Sequence, residues 1–353
     1  MGKCRCVSKL WSSIIRRPNY NQLFPRRINY TPDDIPKLLF AIKAEKKLYY
    51  FSSHDPGENE KSSLVATLLH THTFTGFFQF CGSICGLVCG QSRGKNYTVA
   101  VIYNPVTGES VTTPKVKLIT QGIESKVKLY FGYDPVEKQY KVLCVTSWST
   151  EKDFSTQHYV LTLETGNLLW RKIQCCNTYH PLIEDGVCIN GVLYYTAENN
   201  KKTREVVCFD VRSEKLSLIK VDPVLATKIG GTIGSTLIDY KGKLGAIIIN
   251  DVDIELWVLE EAKEHKWSKQ TYGLSSNRWY YHGVTGRGKI VCYPNVPNSG
   301  RRYDRLKIFY YSRESNMLES VEISGFENPG SEVGYKNYEV YTFPNYVEDV
   351  KLI

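Results

Sequence analysis

The chain has 353 residues, 42% of them apolar and 23% charged, and a formal net charge of +9. That balance belongs to an ordinary globular protein and excludes a disordered or collagen-like chain; the length suits roughly two domains or one large repeat domain. No apolar run approaches the about 18 residues of a membrane span, and 25 Tyr and 13 Phe against 2 Met favour strands.

The charge is uneven. Lys3, Arg5, Lys9, Arg16, Arg17, Arg26 and Arg27 precede the first acid, Asp33, so residues 1–32 carry +7 and the rest of the chain only +2. A nearly neutral body lacks the basic stripe of a nucleic-acid groove, and no nucleic-acid partner is expected. Within the basic start, Val7, Leu10, Trp11 and Ile14 recur at helical spacing and, with Cys6 and Ile15, make one apolar face. Arg16, Arg17 and Pro18 end this helix. So short a helix is marginal alone and must pack on the body or on a partner. The same stretch loosely resembles a transit peptide, and Met1-Gly2 with Cys4 a lipidation signal, but Cys6 stands where that signal wants Ser or Thr. No secretory apolar region is visible, and no membrane partner is expected.

From about Lys37 the pattern changes to strands. A unit recurs in which an apolar strand runs into an acidic or Asn turn: Lys47 to Phe51 before Asp55, Val99 to Tyr103 before Asn104, Tyr159 to Leu163 before Glu164, Val206 to Phe209 before Asp210, Glu255 to Leu259 before Glu260, and Leu306 to Tyr310 before Ser312. The intervals are 49, 60, 46, 50 and 52 residues. A period near 50 with several strands per unit marks propeller blades and argues against a β-sandwich. Asn190-Gly191, Lys241-Gly242 and Gly286-Arg287-Gly288 supply hairpin turns inside the units. The clearest blade has strands Gly186 to Ile189, Val192 to Tyr195, Glu205 to Phe209 and Leu216 to Val221. Tyr338 to Phe343 is placed to pair with the first blade and close the ring. The expected architecture is all-β: a kelch-like β-propeller of about six blades over residues 37–353, after a short N-terminal helix and linker over 1–36.

Chemistry-bearing patterns are sparse. The 11 cysteines include no Cys-x-x-Cys, so free thiols in a reducing compartment and no metal are expected; Cys81, Cys85 and Cys89, spaced by four, read as one buried face. His70 and His72 share a strand face without a third ligand, and Asp251 with Asp253 reads as a charge pair guarding an edge strand. There is no phosphate loop. No catalytic residue and no cofactor is assigned, and an enzyme working on a propeller face has only fold analogy behind it.

The order of short motifs resembles a plant family. Cys4-Arg5-Cys6-Val7-Ser8-Lys9-Leu10-Trp11-Ser12-Ser13-Ile14-Ile15 resembles the last part of a plant F-box. Phe51-Ser52-Ser53, Ile84-Cys85-Gly86-Leu87-Val88, Tyr103-Asn104-Pro105-Val106-Thr107-Gly108, Phe131-Gly132-Tyr133-Asp134-Pro135-Val136, Trp170-Arg171 and Cys188-Ile189-Asn190-Gly191-Val192-Leu193-Tyr194-Tyr195 resemble the F-box-associated domain. The resemblance covers essentially the whole chain. It implies a non-catalytic substrate receptor of an SCF-type ubiquitin ligase, whose F-box docks on a Skp-family adaptor and through it a cullin, in cytoplasm or nucleus. The Leu-Pro element and first helices of the family's F-box are missing before Met1, so Val7, Leu10, Trp11 and Ile14 read as a remnant adaptor face. The alternative is a stand-alone binding propeller without ligase recruitment. Exposed aromatic and arginine side chains are the usual anchors for a protein target, which points to Trp148 and to Arg278, Trp279 and Tyr280.

Overall fold

A computed structural model describes residues 37–348 apart from 45, 55–63, 119–123, 150–153, 164–167, 176–178, 183–184, 200, 231–234, 251–252, 274–278, 286–289, 295–305, 313–316 and 326–337. The N-terminal helix with Val7, Leu10, Trp11 and Ile14 lies outside the described residues.

Among the described residues the strands form six antiparallel sheets, with one added parallel strand. From the innermost strand outward, blade I is Tyr338–Tyr346, Lys37–Ala44, Lys47–His54 and Thr67–Thr73. Blade II is Phe77–Ile84, Leu87–Arg93, Tyr97–Tyr103 and Ser110–Thr112, with Val116–Lys117 also on its third strand. Blade III is Glu124–Asp134, Gln139–Ser149, Phe154–Thr162 and Arg171–Ile173. Blade IV has Val192–Asn199, Arg204–Asp210 and Leu216–Ile219 outside a divided inner position. Blade V is Ser235–Tyr240, Lys243–Ile249, Asp253–Glu261 and Lys266–Gly273. Blade VI is Trp279–Val284, Ile290–Pro294, Leu306–Ser312 and Met317–Ser324. Each innermost strand touches the next, and that of blade VI touches Tyr338–Tyr346, so the ring closes.

Closure is made twice. Tyr338–Tyr346 is the inner strand of a blade whose other strands come from the opposite end of the sequence, pairing Phe40 with Thr342 and Ile42 with Val340. At the outer edge, Leu64–Val65 leaves blade I to pair in parallel with Ile323 and Ser324 of blade VI, and Ala66 N donates to Ser324 O at 2.9 Å. Either clasp hides backbone groups that an open ring would expose.

Each seam between neighbouring blades has its own apolar core. Strand pleating explains this. On Gln139–Ser149, Tyr140, Val142 and Cys144 join the blade II–III core with Leu129, Phe131 and Ile102. Leu143 and Val145, on the other face, join the blade III–IV core with Tyr195 and Phe209. A central strand therefore reads as continuously apolar, being buried on both sides.

Local turn chemistry sets the hairpins. In Cys85-Gly86, Asn190-Gly191 and Lys241-Gly242 both turn residues have positive φ, and glycine takes the second position each time. This is the tight turn whose twist matches the strands. In the Asn104 turn, Asn104 Oδ1 accepts from Val106 N at 2.9 Å and Thr107 N at 3.2 Å.

The expected inner strand of blade IV is present as Val187–Ile189, paired with one end of Val192–Asn199, and Tyr179–Pro181 adds a second short strand at the other end. Two expectations need correction. Cys81 and Cys89 are buried in the same core, but Cys85 is a turn residue packed against it, so the spacing of four spans a hairpin rather than one strand face. Asp253 begins a strand with neighbours on both sides and accepts from Asn250 Nδ2 at 2.7 Å. It is a turn-closing group and not an edge guard; Asp251 lies outside the described residues.

Candidate interaction faces

The strand order gives the ring two faces. The starts of the inner strands, the second-to-third turns and the blade-to-blade connections share one, here the upper face. The first hairpin turns and the third-to-fourth turns share the lower face.

The lower face is sewn together by polar contacts between blades. Tyr140 Oη donates to Cys85 O at 3.0 Å, Asn190 Nδ2 to Gly242 O at 3.3 Å, and Asn345 Nδ2 to Val284 O at 3.2 Å. Arg212 of blade IV reaches Asp134 of blade III, with Nε–Oδ2 at 3.3 Å. Burial pushes the Asp134 carboxyl up, but Arg212 and the N–H groups of Val136 and Glu137 outweigh it and hold it below the ordinary range. Lys141 and Arg171 both reach Glu214 Oε1, at 2.9 and 2.8 Å.

On the upper face, the helix Pro223–Lys228 lies in the connection from blade IV to blade V. Asp222 caps it by accepting from Val224 N at 2.8 Å, Pro223 suits its first position, and Leu225 is buried in the seam. Lys228 and Lys269 reach Glu255 Oε1 at 2.6 and 2.7 Å, and Trp257 Nε1 donates to Oε2 at 3.1 Å. Burial raises the Glu255 carboxyl, yet these bonds prevail and hold it at about 2. This ion-pair cluster pins the helix.

Trp148 is half-buried near the end of the second strand of blade III. It pairs with Ser125 and shares the blade II side of its sheet with Thr146 and Cys144. Trp279 and Tyr280 begin the inner strand of blade VI, pairing with Pro294 and Tyr293. Their side chains, and Arg278 altogether, lie outside the described residues. The topology thus puts Trp148 and Trp279 on the same upper face but three blades apart, on opposite sides of the ring.

Sequence reasoning missed Phe77, which is 53% exposed at the start of the blade II inner strand, beside Lys43 and Arg93. The signal was the doublet Phe77-Phe78: in a strand only one of two consecutive rings can face a given core. His70 and His72 do share a face, with centroids 6.0 and 4.9 Å from the Tyr103 ring. Among the described residues no group of three or more His, Cys, Asp or Glu is placed to hold a metal.

A closed ring of six blades, each sharing its two faces with its neighbours, defines a six-bladed β-propeller. The chain belongs to the F-box-associated β-propeller family, whose "F-box associated beta propeller domain" matches residues 37–347. It is 41% identical to putative F-box protein At1g53550 of Arabidopsis thaliana, over 100% of this chain and 88% of that protein. It is 43% identical to putative F-box protein At1g55070 and 38% identical to F-box protein DOR of the same plant, covering 87% and 89% of those proteins.

Proposed function

We propose that the protein is the non-catalytic substrate-recognition subunit of an SCF-type E3 ubiquitin ligase. One observation carries this: the whole chain aligns with plant F-box proteins, and its body is that family's propeller. The propeller binds the protein to be ubiquitylated, and the N-terminal segment, through Val7, Leu10, Trp11 and Ile14, docks on a Skp-family adaptor and so on a cullin. The receptor then raises the effective concentration of target near the conjugating enzyme, with no chemistry of its own. Cytoplasm or nucleus suits it: among the described cysteines, Cys81, Cys89, Cys144 and Cys208 are buried free thiols, as a reducing compartment permits.

The test is a pull-down of the purified chain with a plant Skp-family adaptor. Binding that is lost in a Trp11→Ala, Ile14→Ala double variant supports the ligase reading. No binding by the unaltered chain overturns it and leaves a stand-alone binding propeller.

A further inference from the structure

We propose that the upper end of the seam between blades I and II is the capture site, and that it takes an acidic peptide segment bearing an apolar side chain. This rests on the reading of the propeller as a recognition module and names the partner chemistry.

The apolar anchor is Phe77. Its neighbour Phe78 is buried, with its ring centroid 5.3 Å from that of Phe74 and 5.2 Å from that of Phe80. The opposite pleat leaves Phe77 in solvent. There its ring is flanked by cations, with the Arg93 guanidinium 5.4 Å and the Lys43 ammonium 5.8 Å from its centroid. Such contacts hold the cations over the ring without neutralising them. Lys43 also meets Glu339 at 3.1 Å.

Glu339 neutralises Lys43, and the remaining charge on the blade II side of the ring is basic. Residues 64–118 contain the bases Arg93, Lys95, Lys115 and Lys117 and a single acid, Glu109. Arg93 ends the second strand, Lys95 lies in the turn after it, Lys117 pairs with Tyr97, and Lys115 precedes Val116, which pairs with Thr98. All four are exposed on the upper side, whereas Glu109 lies in the lower turn. None of the four pairs with a described carboxylate. Arg93 also reaches Val127 O of blade III at 3.5 Å. Val127 pairs with Thr146, two positions from Trp148 on the same sheet side, so the patch runs on to that half-buried indole.

An exposed ring beside Arg93, with Lys95, Lys115 and Lys117 on the same side, suits carboxylates around an apolar residue: the apolar contact supplies affinity, and the charges steer and orient. A nucleic acid fits less well. Its affinity comes from a continuous basic track, and this surplus is confined to one sector of a body carrying only +2 beyond residue 32.

The test is selection of a displayed random-peptide library on the full-length protein. Enriched peptides are then measured by fluorescence anisotropy beside an oligothymidine. The expected peptides are rich in Asp and Glu around Leu or Phe. Phe77→Ala and Arg93→Glu should each weaken them about tenfold without lowering the melting temperature. Lys241→Glu, in an exposed lower turn, should leave binding unchanged. The proposal fails if no acidic peptides are enriched, if Phe77→Ala and Arg93→Glu bind as the parent does, or if Lys241→Glu loses as much. Tighter binding of oligothymidine that depends on Arg93 overturns it in favour of nucleic acid. The adaptor pull-down on the same preparation separates the two readings: adaptor binding without peptide binding rejects the patch alone, and the converse rejects only the ligase role.

Discussion

Trp170 and Trp267 do the same work in blades III and V. Each stands at the start of its blade's outermost strand and donates its indole N–H to a main-chain carbonyl of the preceding blade. Trp170 reaches Pro114 O at 2.9 Å and Trp267 reaches Lys220 O at 3.1 Å. These bonds tie the outer edges of two seams. Replacement by Phe keeps the ring and removes the donor, so Trp170→Phe and Trp267→Phe should each cost about 1 kcal/mol. The seams are separate, so the double variant should lose the sum. Urea denaturation of the three variants checks both points.

His158 sets an acid limit on stability. It is buried on the third strand of blade III, and burial lowers its pKa to about 4. The unfolded chain takes up the proton near 6.5, so its contribution is complete above that pH and is lost as pH falls from about 6.5 to about 4. At pH 5 the loss should be about 2 kcal/mol. His158→Leu should flatten the stability profile in that window; an unchanged slope would show that His158 does not titrate there.

Phe80 is where the closing strand grips blade II. Its ring centroid lies 4.6 Å from that of Tyr341 and 5.2 Å from that of Phe343, both on the C-terminal strand. Phe80→Ala should therefore cost about 3–5 kcal/mol. It should also open the ring first at blade I. Hydrogen exchange would show this as earlier loss of protection in Tyr338–Tyr346 than in blade III.

Gly90 is required by close approach. A Cβ there would lie 2.0 Å from Cζ of Phe78, a ring already wedged between Phe74 and Phe80. Gly90→Ala should cost about 1–3 kcal/mol by overpacking. Adding Phe78→Leu should restore part of the loss in melting temperature, because the clash is with the ring edge and the backbone φ of Gly90 is ordinary.

Strands, hairpins and ring closure are legible in the residues alone. Asn190-Gly191 and Lys241-Gly242 demand one turn geometry whatever surrounds them, and the turn marks near every 50 residues repeat one blade. Tyr338 to Phe343 was legible as a strand without a local partner, and it pairs with Lys37–Ala44 as expected. Tertiary structure alone decided what faces what. Both sides of a blade are buried, so a central strand such as Gln139–Ser149 carries no polar alternation to distinguish its two seams. The same burial concealed the interior place of the strand that Asp253 begins, and the second short strand, Tyr179–Pro181, at the inner position of blade IV. Phe77 and Phe78 are identical side chains in adjacent positions; only packing against Phe74 and Phe80 buries one and leaves the other among the cations of the upper rim.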